Sequence, residues 1–223
     1  MTERPIIFSG ESVRAILEGR KTQTRRVVKY QGDMEFDPAD PHFGPYWLSY
    51  ADGENAKVRC PYGVPGDRLW VRETYRHYGN GFTAGGPVLA HVQYRADNAC
   101  LDRGTWPNFA SAPEQTWWNT GVKPWTSPLF MPRWASRITL ELTDVRVQRV
   151  QEITRKDAMA EGCEGMAGDG DKNCILPEDQ FQELWDSLNA KRGFAWADDP
   201  FVWSLTFRVS DGPRRTCGEH RPK

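Results

Sequence analysis

The stretch FVWSLTFRVS, residues 201–210, puts Phe201, Trp203, Leu205, Phe207 and Val209 at every second position. A two-residue period lines one face of a strand, so this segment demands a sheet with a large apolar face to cover. RITLEL repeats the pattern, alternating Ile138, Leu140 and Leu142 with Thr139 and Glu141, and Val145 and Val147 extend it. PGDRLWVRETY opens as a turn and continues as a strand, with Leu69 and Val71 alternating against Trp70 and Arg72. Strands and helices do not alternate as βαβαβ, and there is no phosphate-loop pattern. The expectation is an α+β fold, mainly β, or a small barrel.

Short helices punctuate these strands. After Ser9 as a cap, GESVRAILEGR places Val13, Ile16 and Leu17 on one helical face, with Glu11 near the positive end and Gly19 as the stop. TRKDAMAEG has Thr154 as N-cap, Asp157 three positions later and Gly162 as terminator. PEDQFQELWDSLNAKRG starts on Pro177 and repeats Phe181, Leu184, Trp185 and Leu188 at helical spacing. Asn80–Gly81 and a later Gly-Gly predict a loose hairpin into VLAHVQYRAD. Two regions, roughly 30–64 and 98–133, read as long irregular insertions whose aromatic residues pack. Residues 1–210 are expected to form a single domain, and the polar residues 211–223 a mobile tail.

Bulk properties narrow the function classes. A net charge of −1 excludes a globally polyanion-coating protein, so any nucleic-acid surface must come from local clustering. No apolar run is long enough for a membrane span. The opening MTERPIIFSGES lacks the features of a secretory signal, and the five scattered cysteines fit a reducing cytoplasm better than a disulfide framework. Neither the cysteines nor the four histidines have metal-ligand spacing. DGDKN, from Asp169 to Asn173, begins like a calcium loop, but Cys174 and Gln180 stand where that loop needs glycine and glutamate.

Directly behind the first helix lies EGRKTQTRRVVK, residues 18–29. ILEGRKTQTRR, then PGDRLWVRETY, then ITRKDAMAEG and a closing strand resemble, in that order, the ASCH family of PUA-like domains. MPRWASRITLEL resembles bacteriophage and prophage members, and the resemblance runs from Ile6 to Val209 outside the two irregular regions. It implies a small PUA-like β-barrel with flanking helices and a cleft for a nucleic acid, RNA before DNA, or for a modified nucleoside. One branch of the family removes the acetyl group of N4-acetylcytidine without metal or cofactor. Carried onto matching positions, its catalytic residues are Lys21, Thr24 and Glu161. Arg20, Thr22, Arg25 and Arg26 are the expected contacts to substrate or nucleic acid.

Amide hydrolysis needs a nucleophile, a proton acceptor and a donor for the leaving nitrogen. Thr24 is the expected nucleophile, Lys21 the acceptor and Glu161 the donor. In a regular strand, residues three apart face opposite ways, so Lys21 and Thr24 meet only if the chain breaks between them. The competing readings are a non-catalytic RNA- or DNA-binding module using the same basic strand and, more distantly, a ribonuclease. Asp67 and Glu73 read as structural ion-pair partners. Trp70, Trp185 and Trp203 read as core, whereas Trp106, Trp117, Trp118 and Trp125, with Lys123, are candidate base-stacking residues.

Overall fold

A computed structural model describes residues 1–29, 31, 33–35, 46–51, 54–79, 89–105, 124–166 and 174–211. In chain order the strands and helices are β1 (Glu3–Ile7), α1 (Gly10–Leu17), β2 (Gln23–Val27), β3 (Asp33–Glu35), β4 (Tyr46–Ala51), β5 (Glu54–Arg59) and β6 (Arg68–Arg72). They continue with β7 (Tyr75–Gly79), β8 (Leu89–Tyr94), β9 (Cys100–Thr105), β10 (Thr139–Arg149), α2 (Arg155–Ala160), α3 (Pro177–Asn189) and β11 (Phe201–Asp211). Among the described residues these make an open five-stranded sheet ordered β1-β6-β10-β11-β2 and two antiparallel three-stranded sheets, β3-β4-β5 and β7-β8-β9. The α+β expectation is met with open sheets in place of a closed barrel.

The chain divides into two compact units. The first comprises Met1–Arg4, Glu18–Leu69 and Leu140–Arg208. Its sequence logic centres on α2 and α3 packing over β2 and β11. Ile153, Ala158, Phe181, Trp185 and Val202 form a buried cluster there, with Val27 and Trp196 against it. Along α3 the buried stripe is Pro177, Phe181, Trp185 and Asn189, an i, i+4 row. Leu184 and Leu188, expected on that face, are 37% and 59% exposed.

The second unit comprises Pro5–Leu17, Trp70–Thr139 and Val209–Lys223. Tyr75, Val92, Tyr94, Leu101, Met131 and Ala135 form its apolar cluster. Beside them the Arg137 guanidinium donates to both oxygens of Glu73 at 2.8 and 2.9 Å and to both of Asp97 at 2.8 and 3.1 Å, while lying 4.1 Å from the Tyr94 ring centre. Burial pushes the Glu73 carboxyl up despite that partner. Glu73 therefore has the structural role expected of it. So has Asp67, which accepts from the backbone of Thr2 and Val64 and pairs with Arg4 at 3.4 Å.

Several expectations change. The region 30–64 carries β3, β4 and β5, and 98–133 carries β9 and the short 3-10 turn Pro128–Phe130, so neither is irregular throughout. YWLSYA, ENAKVR and CLDRGT have no sustained apolar alternation to announce them; antiparallel pairing with a neighbour makes them strands. β7 and β8 pair as the expected hairpin requires, with the Asn80–Gly81 turn outside the described residues. Trp106, Trp117, Trp118, Lys123, the DGDKN segment and residues 212–223 also lie outside them. Trp125 is half-buried under the Arg76 guanidinium, 4.3 Å from its ring centre. β11 is covered on both faces, since Val202, Trp203, Ser204 and Leu205 are all buried, whereas Val209 is 39% exposed. Trp70, Trp185 and Trp203 are core residues as expected.

Candidate active site

The helix α1 hands the chain to the basic run through Gly19, whose φ of 75° is the left-handed conformation glycine adopts without strain. Lys21 and Thr22 precede β2, and Thr22 continues its register with β11, opposite Phe207, so the strand alternation runs on through Thr22. Two backbone bonds fix this entry: Thr22 N–H donates to the Ala160 carbonyl at 2.8 Å, and Phe207 N–H donates to the Thr22 carbonyl at 2.9 Å. The first ties the run to the end of α2, the second to β11.

α2 is set at its other end by the expected cap. Thr154 Oγ1 accepts from Asp157 N–H at 3.2 Å while the Asp157 carboxylate reaches back to the Thr154 amide. Glu161 follows the last helical residue, and Gly162 at φ 93° turns the chain away. Asp157 and Glu161 are four residues apart, which stacks two carboxylates on one side of the helix.

That side meets β2. Lys21 Nζ donates to Glu161 Oε2 at 2.5 Å and to the Glu161 carbonyl at 2.8 Å. Both side chains are 4% exposed, and they come from positions 140 residues apart. Arg25 Nη1 lies 3.4 Å from Glu161 Oε1, and Nη2 lies 3.3 Å from Asp157 Oδ2. Gln23 donates to Asp157 Oδ1 at 3.1 Å and accepts from Arg25 Nη1 at 2.7 Å. The guanidinium of Arg25 also lies over the Phe181 ring, 5.6 Å from its centre.

Burial pushes the Arg25 pKa below its ordinary value, against the pull of Glu161 and Asp157. Burial works on Asp157 in the opposite sense, raising it. The hydrogen bonds from Thr154 and Gln23 and the charge of Arg25 outweigh that and hold its carboxyl below the usual range. Cys163, two residues past Glu161, is a thiol pushed up to about 11 by burial and by the Glu161 charge. At neutral pH it stays protonated, which makes it an inert neighbour and no competing nucleophile.

β2 pairs with β11 without a register shift, Leu205 opposite Thr24 and Trp203 opposite Arg26. Alternation therefore puts Gln23 and Arg25 on one face and Thr24 and Arg26 on the other. Thr24 is buried at 4% exposure. Arg26 is half-buried; burial lowers its pKa, and the charges of Tyr62 and Glu161 act against that. Glu161 thus acts electrostatically on arginines of both strand faces, which is possible because β2 is the end strand of its sheet.

Arg20 and Thr22 are exposed and flank Lys21 on the solvent side. Arg20 pairs with Glu18 and, at 3.4 Å, with Glu164. Of the residues singled out in the sequence, the fold brings Lys21, Arg25 and Glu161 into direct contact, with Thr24 and Arg26 on the far face of the same strand. Asp157, Gln23 and Phe181 are additional members of the constellation. Asp157 is visible in the sequence as a capping residue, and the Lys21, Gln23, Arg25 alternation is its only further signal.

No protein-family model and no curated protein matches the chain. Two solved structures do. A DUF984-family protein from Enterococcus faecalis V583 is 11% identical, with a TM-score of 0.40 over 100% of this chain and 86% of that one. An ASCH domain from Lactobacillus crispatus JV V101 is also 11% identical, with a TM-score of 0.37 over 93% and 79%.

Proposed function

We propose that this chain is a metal-independent amidohydrolase acting on an N4-acylated cytosine nucleoside or a related modified nucleoside. The observation that carries the reading is the 2.5 Å contact between the buried Lys21 amine and the Glu161 carboxylate. The pair sets an amine and a carboxylate side by side out of water, a proton donor and a proton acceptor at one point. Strand alternation turns Thr24 to the other face of β2, so water takes the part expected of its hydroxyl. Water attacks the acyl carbon and gives a proton to the Glu161 carboxylate, and the Lys21 ammonium protonates the N4 nitrogen as the C–N bond breaks. This leaves the free cytosine amine and the acyl acid, and a proton passing from Glu161 back to Lys21 restores the pair. The substrate class comes from the motif resemblance, and the chemistry from the residue types.

The alternative, a nucleic-acid-binding module, is less well supported by the charge pattern. Arg20, Lys21 and Arg25 each already face a carboxylate, so they are not cations held for incoming phosphates. Incubation with N4-acetylcytidine, followed by mass spectrometry, should yield cytidine and acetate. K21A and E161Q are expected to lower kcat by roughly 10²–10⁴-fold, and T24A by much less. A loss in T24A as large as that in K21A would return the attack to the Thr24 hydroxyl. Salt-dependent RNA binding without turnover of any acylated nucleoside would favour the recognition module.

A further inference from the structure

We propose that Arg25 is a positioning residue: it holds one oxygen of Glu161 so that the other faces the Lys21 amine. The inference rests on the hydrolytic reading for its kinetic consequence, but its geometric half stands without it. The basic run is expected from sequence to offer Arg25 to a substrate or nucleic acid. Its side chain is instead 0% exposed, so an incoming molecule does not reach it.

The two oxygens of Glu161 are divided. Oε2 lies 2.5 Å from Lys21 Nζ, and Oε1 lies 3.4 Å from Arg25 Nη1. The terminal torsion of a glutamate is soft, so a single hydrogen bond leaves the carboxylate free to swing. A second contact on the other oxygen pins its plane. Arg25 can do this because it is itself held from several sides. Gln23 Oε1 accepts from Nη1 at 2.7 Å, Asp157 Oδ2 lies 3.3 Å from Nη2, and Phe181 covers the guanidinium face. Asp157 is fixed in turn by Thr154, by Gln23 and by Arg146, whose Nη2 lies 3.7 Å away. If a buried guanidinium were needed only to neutralise Asp157, contact with Glu161 would add nothing. The contact with both carboxylates, one helical turn apart, is what couples the cap of α2 to the reacting end.

The test compares R25M, R25K, E161Q and R25M/E161Q. R25M is expected to lower kcat by about a hundredfold with KM within about twofold, and R25K to recover much of the loss. In the E161Q background R25M should cost nothing further, because its target is gone. A multiplicative loss there, or unchanged kcat in R25M, would overturn the inference. A second readout needs no turnover: hydrogen exchange at the ¹⁵N-labelled Lys21 Nζ should quicken in R25M and stay slow in R25K. Unchanged exchange in R25M overturns the positioning role. Quickened exchange in a protein that hydrolyses no acylated nucleoside keeps that role and removes the hydrolase reading. Should R25M fail to fold, Q23A removes the acceptor that steers Nη1 together with the Gln23 donor to Asp157 and Thr206, and should move both readouts in the same direction by less.

Discussion

Lys21 carries two demands that pull against each other. Removing an ammonium and a carboxylate from water costs several kcal/mol per ion before their attraction returns any of it. Such a pair is poor evidence of stabilisation, but breaking it exposes the cost. K21M leaves the Glu161 charge buried with only the longer Arg25 contact, and is expected to lower the unfolding free energy by about 3–5 kcal/mol. K21M/E161M should return close to wild type, since nothing charged is then left unpaired at that point. Urea unfolding of the set measures both. A double variant no better than K21M would mean that the pair stabilises the fold, which would weaken its reading as a site kept for chemistry.

At the scale of elements, α2 does more than its two turns suggest. Its N-terminal cap and the Glu161 end are joined through the Asp157 carboxylate and Arg25. That carboxyl is held below its unfolded value, so the unfolded chain binds the proton more readily. Its contribution to stability is therefore fully present above about pH 4–5 and is lost as pH falls through the folded value. D157N should flatten the acid limb of a urea-midpoint profile; an unchanged limb would place the acid sensitivity elsewhere, for example at Asp67 or Asp97. Thr154, Asp157 and Gly162 were legible because capping chemistry is local. The contacts of Asp157 with Gln23 and Arg25 were not, because they join segments more than a hundred positions apart. The strands of 30–64 were hidden for a related reason. Their sequences are half polar, and a partner strand, not a local period, makes them extended. Leu184 and Leu188 mislead in the opposite direction, since helical spacing identifies a face without saying how wide its buried stripe is.

For the whole molecule, a near-neutral balance of charge, with Arg20, Lys21 and Arg25 each beside a carboxylate, fits the small neutral substrate proposed above. The KM for an acylated nucleoside should stay within about twofold between about 0.05 and 0.3 M salt, whereas binding through phosphates would weaken steeply over that range. A steep fall would shift the reading toward polymer recognition. The fold class was legible from the period-two runs at 138–142 and 201–209, but sheet order was not, because it depends on pairings between distant strands. β2 illustrates the point: its neighbour in the sheet is β11, so Val27 meets Val202 and Thr24 meets Leu205. During synthesis, therefore, the segment holding Lys21 and Arg25 emerges long before either the strand or the helix it needs. Until about residue 205 has left the ribosome, its cations remain in water with no partner sheet. The Lys21–Glu161 contact is thereby withheld from incomplete chains, and a product truncated before β11 loses the partner strand of β2.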